Sequence, residues 1–336
     1  MLIVGIAGTE LAPHEREWLA QEQVSGVILF TRNFTGREQV AALVEELRAA
    51  RDAPLLVAVD QEGGPVQRFR GDGFTRLPAL ARIGDVYDRD PHRAVALAEE
   101  HAWLMASEMR AIGIDISYAP VVDLKRGNRA IGERAFHPDP EITSELSLAY
   151  LRGMRIAGMA ATIKHFPGHG SVLEDTHFDE AVDARSYTQI DEEDLKPFHD
   201  AIEHGAEAVM MAHVRYPLVD EKPAGYSRRW IEDVLRGDLV FRGAVFSDDI
   251  GMAAAKSVGG IGARIAVHLD AGCDFVLVCD PKLVPESLAS VSSREAASSA
   301  LVAQLQGYVG NTWEALVNNP QRTHFIERVT ALDVSV

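Results

Sequence analysis

The segment IKHFPGHGSVLEDTHFDEA, from Ile163 to Ala181, gathers Lys164, His165, His169, Asp175, His177 and Asp179. Asp175 stands two residues before His177. In a turn or an extended loop that spacing lets the carboxylate bond one ring nitrogen, fixing the tautomer and raising the basicity of the other. Such a pair can give and take a proton, although taken in isolation the better reading is a solvated Asp and His on a surface loop. His165, His169, His177 and Asp179 are also donors that zinc accepts. His165 and His169, however, straddle Pro167-Gly168 and cannot form the helical pair of an H-E-x-x-H site. The H-x-H that ends the first strand of some metal-dependent barrels is missing too, since Gly8-Thr9 stands there. No metal is expected.

Two further constellations carry charge. Ser247-Asp248-Asp249 closes an apolar run with adjacent carboxylates, and successive side chains of a strand point to opposite sides. One of them faces inward, where it can act as a nucleophile or stabilise a cation. In VDQEGGPVQRFR, Asp60 and Arg68 flank Gly63-Gly64, a pair that allows close approach of backbone to a ligand. Asp, Arg, Lys and His are the side chains that typically hold sugar hydroxyls.

These residues sit at the ends of a repeated phrase. An amphipathic run, a Gly and a short apolar run ending in polar residues recur around Gly113, Gly158, Gly205 and Gly272. A Gly just past a helix and just before a buried strand is the αβ junction of a βαβ unit. LIVGIAG, GVILFTRN, PLLVAVDQE and GAVFSDD add four strand-like runs. Between runs lie helical patterns such as REQVAALVEELRAA, where Val40, Leu43, Val44 and Leu47 share one face. Eight strands alternating with helices predict an α/β fold with a parallel sheet closed into a (β/α)8 TIM barrel. Nearly all strand ends carry groups able to bind or catalyse, which places a polar small-molecule site in the mouth. The segment from about Ser290 reads as extra C-terminal helices on the outside.

Length and composition agree. A (β/α)8 barrel takes roughly 250 residues, and no Pro/Gly/Ser-rich linker divides the 336 present, so residues 1–336 are expected to form one catalytic barrel domain. The net charge of −17 argues against a nucleic-acid partner, whose phosphates call for clustered Lys and Arg. No apolar stretch reaches the roughly 18 residues of a membrane span, and the first residues lack the basic start of a secretory signal. With Cys273 and Cys279 both inside one apolar run, a disulfide framework is not expected. The expectation is a monomeric cytoplasmic protein with no membrane partner.

The phrases GVILFTRNF, VAVDQEGGPVQRFR, DISYAPVVDL, GNRAIGERAFHPDP, IKHFPGHG, DTHFDEA, MMAHVRYP, VFSDDIGM and AGCDFVLVCD follow in order from residue 26 to 280. Together they resemble the family 3 glycoside hydrolases, in particular the single-domain bacterial β-N-acetylhexosaminidases of peptidoglycan recycling. The resemblance implies a (β/α)8 barrel without cofactor or metal. It also implies release of terminal N-acetylglucosamine, with retention of configuration, from muropeptides or chitooligosaccharides. Matched residue by residue, it makes Asp248 the nucleophile, His177 the general acid/base and Asp175 the partner of the imidazole. Asp60, Arg68, Arg134, Lys164 and His165 fall on its sugar-binding positions. One departure is Pro65, where the family usually shows Arg; a fixed φ and a missing N–H there bear on the loop that leads to Arg68. The alternatives are a phosphorylase of the same family, a metal-dependent barrel hydrolase and a catalytically inert sugar-binding barrel.

Overall fold

The computed structural model describes residues 1–173, 181–252, 255, 258–294, 299–307 and 310–333. Eight strands form one sheet: β1 (Leu2–Gly5), β2 (Val24–Leu29), β3 (Leu56–Val59), β4 (Ile116–Ser117), β5 (Thr162–Phe166), β6 (Ala208–Met211), β7 (Ala244–Asp249) and β8 (Phe275–Val278). Their spatial order is β4-β3-β2-β1-β8-β7-β6-β5, and every ladder is parallel. The two ends of that order meet. Val121 bridges to Lys164 in parallel, with Thr162 N–H donating to Ala119 and Val122 N–H donating to Lys164, both at 2.9 Å. The sheet is therefore a closed barrel, as the alternation of strands and helices predicts.

Alternation along the strands builds two cores. Leu56 and Ala58 point into the barrel with Ile3, Ile28, Phe246, Phe275 and Leu277, while Val57 and Val59 point outward beneath the helices. Inside, the Phe246 and Phe275 rings stack at 4.8 Å and Tyr118 meets Phe246 edge-on at 5.3 Å. The helix Arg37–Ala49 buries Val40, Leu43, Val44 and Leu47, the stripe expected of it. All four junction glycines have positive φ, from 79° at Gly158 to 117° at Gly272, a conformation that a side chain would strain.

The C-terminal segment differs in one respect from a set of helices lying on the outside. The helix Ser299–Leu305 turns Val302 and Leu305 into the inner cluster with Ile3 and Leu56, so it plugs the barrel at the end opposite the strand termini. Pro320–Thr330 does lie outside, packed on the long helix Pro91–Ala111.

Candidate active site

Above the carboxyl ends of the strands lies a cavity of about 480 Å³, and about half of the residues lining it are charged. From the end of β3, Asp60 reaches Lys164 Nζ at 3.0 Å and Arg68 at 3.3 Å through its two carboxylate oxygens. Burial alone would raise the pKa of Asp60, but the adjacent Lys164 and Arg68 outweigh it and hold the group well below the usual carboxylate range. Two residues on, Glu62 accepts a bidentate pair from Arg134 at 2.8 and 2.9 Å and meets Lys164 at 2.5 Å. Burial opposes its ionisation as well, yet Arg134 and Lys164 pull its pKa down. Despite burial, Arg134 is held firmly protonated by Glu62. Lys164, only 2% exposed, is thus shared between two carboxylates.

The loop that presents Arg68 is a short hairpin, Gln61–Gly63 against Val66–Gln67. Gln61 Oε1 accepts from the backbone N–H of Arg68 at 3.0 Å and of Phe69 at 3.1 Å. Pro65 sits in the turn, and Arg70 donates to the Gly64 carbonyl at 2.6 Å. With Pro65 in place, Arg68 still reaches Asp60.

His165 is oriented from behind. Its Nδ1 donates to Asp123 at 2.7 Å, and the backbone N–H groups of His165 and His169 donate to the same carboxylate. A carboxylate only accepts, so Nδ1 carries a proton and the ring is held with Nε2 on the opposite side. Asp123 is buried, but His165 and His169 bring its pKa below the usual range. Burial pushes His169 down to about 4, which keeps its ring neutral.

The adjacent carboxylates of β7 part company. Asp249 turns to β8, accepting from the backbone N–H groups of Cys279 and Gly251, both at 3.1 Å, and burial raises its pKa. Asp248 accepts from the N–H of Asp249 at 2.7 Å; burial resists its charge, but His165 and His213 prevail and lower its pKa. The two neighbours are therefore shifted in opposite directions, Asp248 below and Asp249 above the usual carboxylate value. His213 is fixed by its own Nε2 contact to the Asp249 carbonyl at 3.1 Å.

Asp60, Arg68, Arg134, Lys164, His165 and Asp248 all line this cavity. Asp175 and His177 lie outside the described residues. The chain on either side of them is tied down. Tyr216 OH donates to the Gly168 carbonyl at 2.6 Å, Ser171 donates to Asp194 at 2.7 Å, and Ala181–Val182 pairs with Val214–Arg215. Glu62 and Asp123 are among the polar groups at the strand ends, but the sequence assigns neither of them a particular role. A usable signal existed for Glu62: in an extended run it shares a face with Asp60, two residues before it.

A closed barrel whose mouth sets an ionised carboxylate beside a shared lysine and an oriented imidazole is the frame of an enzyme acting on a polar small molecule. Residues 2–307 match the glycosyl hydrolase family 3 N-terminal domain, and the chain belongs to that family. It is 56% identical over 332 residues to a β-hexosaminidase of Stenotrophomonas maltophilia, covering 97% of this chain and 98% of that protein. A β-hexosaminidase of Xanthomonas axonopodis is 57% identical, over 94% of each chain. Among solved structures, NagZ from Neisseria gonorrhoeae in complex with N-trifluoroacetyl-D-glucosamine superposes with a TM-score of 0.90 at 40% identity, covering 98% of this chain and 97% of the other.

Proposed function

We propose that the protein is a retaining β-N-acetylhexosaminidase that releases terminal N-acetylglucosamine from muropeptides or chitooligosaccharides in the cytoplasm, acting as a monomer and as one catalytic domain. The observation that carries this reading is Asp248, a half-buried, ionised carboxylate on a rigid strand end in a family 3 barrel. The β-hexosaminidase relatives support the choice of sugar.

A retaining enzyme needs a nucleophile on one side of the anomeric carbon and a proton donor beside the leaving oxygen. Asp248 attacks the anomeric carbon, the bond to the leaving oxygen breaks, and that oxygen takes a proton from His177. Water then gives its proton to His177 and displaces Asp248, restoring both groups. Asp175 stabilises the imidazolium while it exists. Asp60, Arg68, Arg134, Lys164 and His165 hold the sugar, and an oxocarbenium-like charge is favoured in a mouth that keeps its carboxylates ionised.

The test is hydrolysis of a chromogenic N-acetyl-β-glucosaminide by wild type, Asp248→Asn and His177→Ala. Wild type turns over, and Asp248→Asn loses more than about a thousandfold in kcat. Cleavage of a glucoside or xyloside in place of the N-acetyl sugar overturns the substrate. Formation of a sugar 1-phosphate in phosphate buffer makes the enzyme a phosphorylase instead.

A further inference from the structure

The match to the family domain ends at residue 307, yet the chain beyond it reaches back to Gly73 and Phe74, a few residues past the hairpin that presents Arg68. Trp313 meets Phe74 edge-on with ring centroids 5.0 Å apart. Phe74 lies 6.0 Å from Phe69 and 5.8 Å from Phe34, and Phe34 and Phe69 lie 5.1 Å apart. Phe69 is fully buried and is the immediate neighbour of Arg68. The contact is close enough that a Cβ at Gly73 would stand 3.1 Å from the Trp313 ring. The same stretch of chain is held a second time, by Arg322, which donates to the Gly73 carbonyl and to Glu108, both at 2.7 Å. Glu108 in turn accepts from the backbone N–H of Thr75 at 2.9 Å.

We infer that Trp313 is a positioning residue for Arg68: the C-terminal segment sets the sugar-binding guanidinium through the Trp313–Phe74–Phe69 aromatic chain. The hairpin itself is only three residues paired with two, too short to hold its own geometry. Gln61 braces it from the barrel side, through the backbone N–H groups of Arg68 and Phe69. The Phe69 carbonyl also accepts from Gln61 Nε2 and Gln67 Nε2, both at 3.0 Å, so the backbone is anchored there, while the Phe34 and Phe74 rings set where the Phe69 ring lies. A small tilt at Phe69 moves Arg68 off Asp60, and displacement of a binding group by about 1 Å can cost roughly a hundredfold in rate.

The inference rests on the reading that Arg68 holds the sugar, and a double-mutant cycle tests the two separately. kcat/KM on a chromogenic N-acetyl-β-glucosaminide is measured for wild type, Trp313→Ala, Arg68→Ala and the double variant, with thermal melts of each. Trp313→Ala is expected to lower kcat/KM by about tenfold to a hundredfold, Trp313→Phe to restore most of it, and Trp313→Ala to add less than about twofold once Arg68 is already Ala. A Trp313→Ala loss that multiplies fully with that of Arg68→Ala overturns the positioning role, as does no loss at all. If Arg68→Ala itself leaves kcat/KM unchanged, the sugar-binding reading of Arg68 falls and this inference falls with it. Should Trp313→Ala not fold, Trp313→Leu keeps the apolar bulk without the ring and takes its place in the cycle.

Discussion

Glu62→Gln changes one atom in the most heavily charged part of the mouth, and its cost can be worked from the bonds that atom makes. The carboxylate accepts two bonds from Arg134 and contacts Lys164 at 2.5 Å, all with charged donors. Gln keeps one acceptor oxygen and turns an NH₂ toward a cation that can only donate. With its oxygen at the Oε1 position, which meets both Arg134 Nη2 and Lys164, Gln reverses one of the three contacts and leaves the other two without the anionic acceptor. Breaking a buried ion pair from one side typically costs about 3–5 kcal/mol, and the retained amide oxygen places this change toward the low end, near 3 kcal/mol. The sign of the pH dependence follows from the lowered pKa. Glu62 contributes stability above its ordinary value of 4.5, and that contribution drains away as the pH falls through its depressed folded value. The gap in urea stability between wild type and Glu62→Gln is therefore constant from pH 7 to about 5.5 and narrows below 4.5. Urea melts at pH 7, 5.5 and 4 measure both. A loss under about 1 kcal/mol at pH 7, or a gap that widens on acidification, would refute the charged network as described.

Three other changes follow from the same geometry. Asp123→Asn replaces the acceptor of the His165 Nδ1 proton with an amide that can flip, so the ring tautomer is no longer imposed, and kcat/KM should fall about tenfold to a hundredfold with a small change in melting temperature. Because Asp248 is held below its usual value of 3.8, the acid limb it imposes on kcat/KM should lie under that pH; Lys164→Met, by removing one cation that lowers it, should move the limb upward in a pH–rate profile. Leu305→Ala empties part of the plug at the far end of the barrel and should cost about 2–5 kcal/mol in denaturant melts while leaving KM unaltered.

The barrel was legible because its strands are short apolar runs, four of them introduced by a helix and a glycine. What the pattern does not encode is how the ring closes. The fourth strand is only Ile116–Ser117, and it is the irregular chain after it, Ala119 to Val122, that pairs with β5. Periodicity likewise marks one face of the helix Ser299–Leu305 as apolar without saying what that face meets. A plug in the barrel floor and a helix on the barrel wall have the same pattern.

The site divides along a similar line. Each strand end announces that it carries a polar group, since a side chain leaving the core toward a ligand is charged where a packing residue would be apolar. Which group answers which is a matter of closure in three dimensions. Arg134 finds Glu62 across 72 residues and Lys164 finds Asp60 across 104, distances at which no spacing rule operates. The same holds for the choice between Asp248 and Asp249. Both carboxylates line the cavity, but the N–H groups of Cys279 and Gly251 decide that Asp249 is the one tied to the backbone. That leaves Asp248 with the cations and imidazoles of the mouth. The charge state of the proposed nucleophile is thus set by neighbours on β5 and past the end of β6, His165, Lys164 and His213, and replacing them should shift its titration before it disturbs the fold.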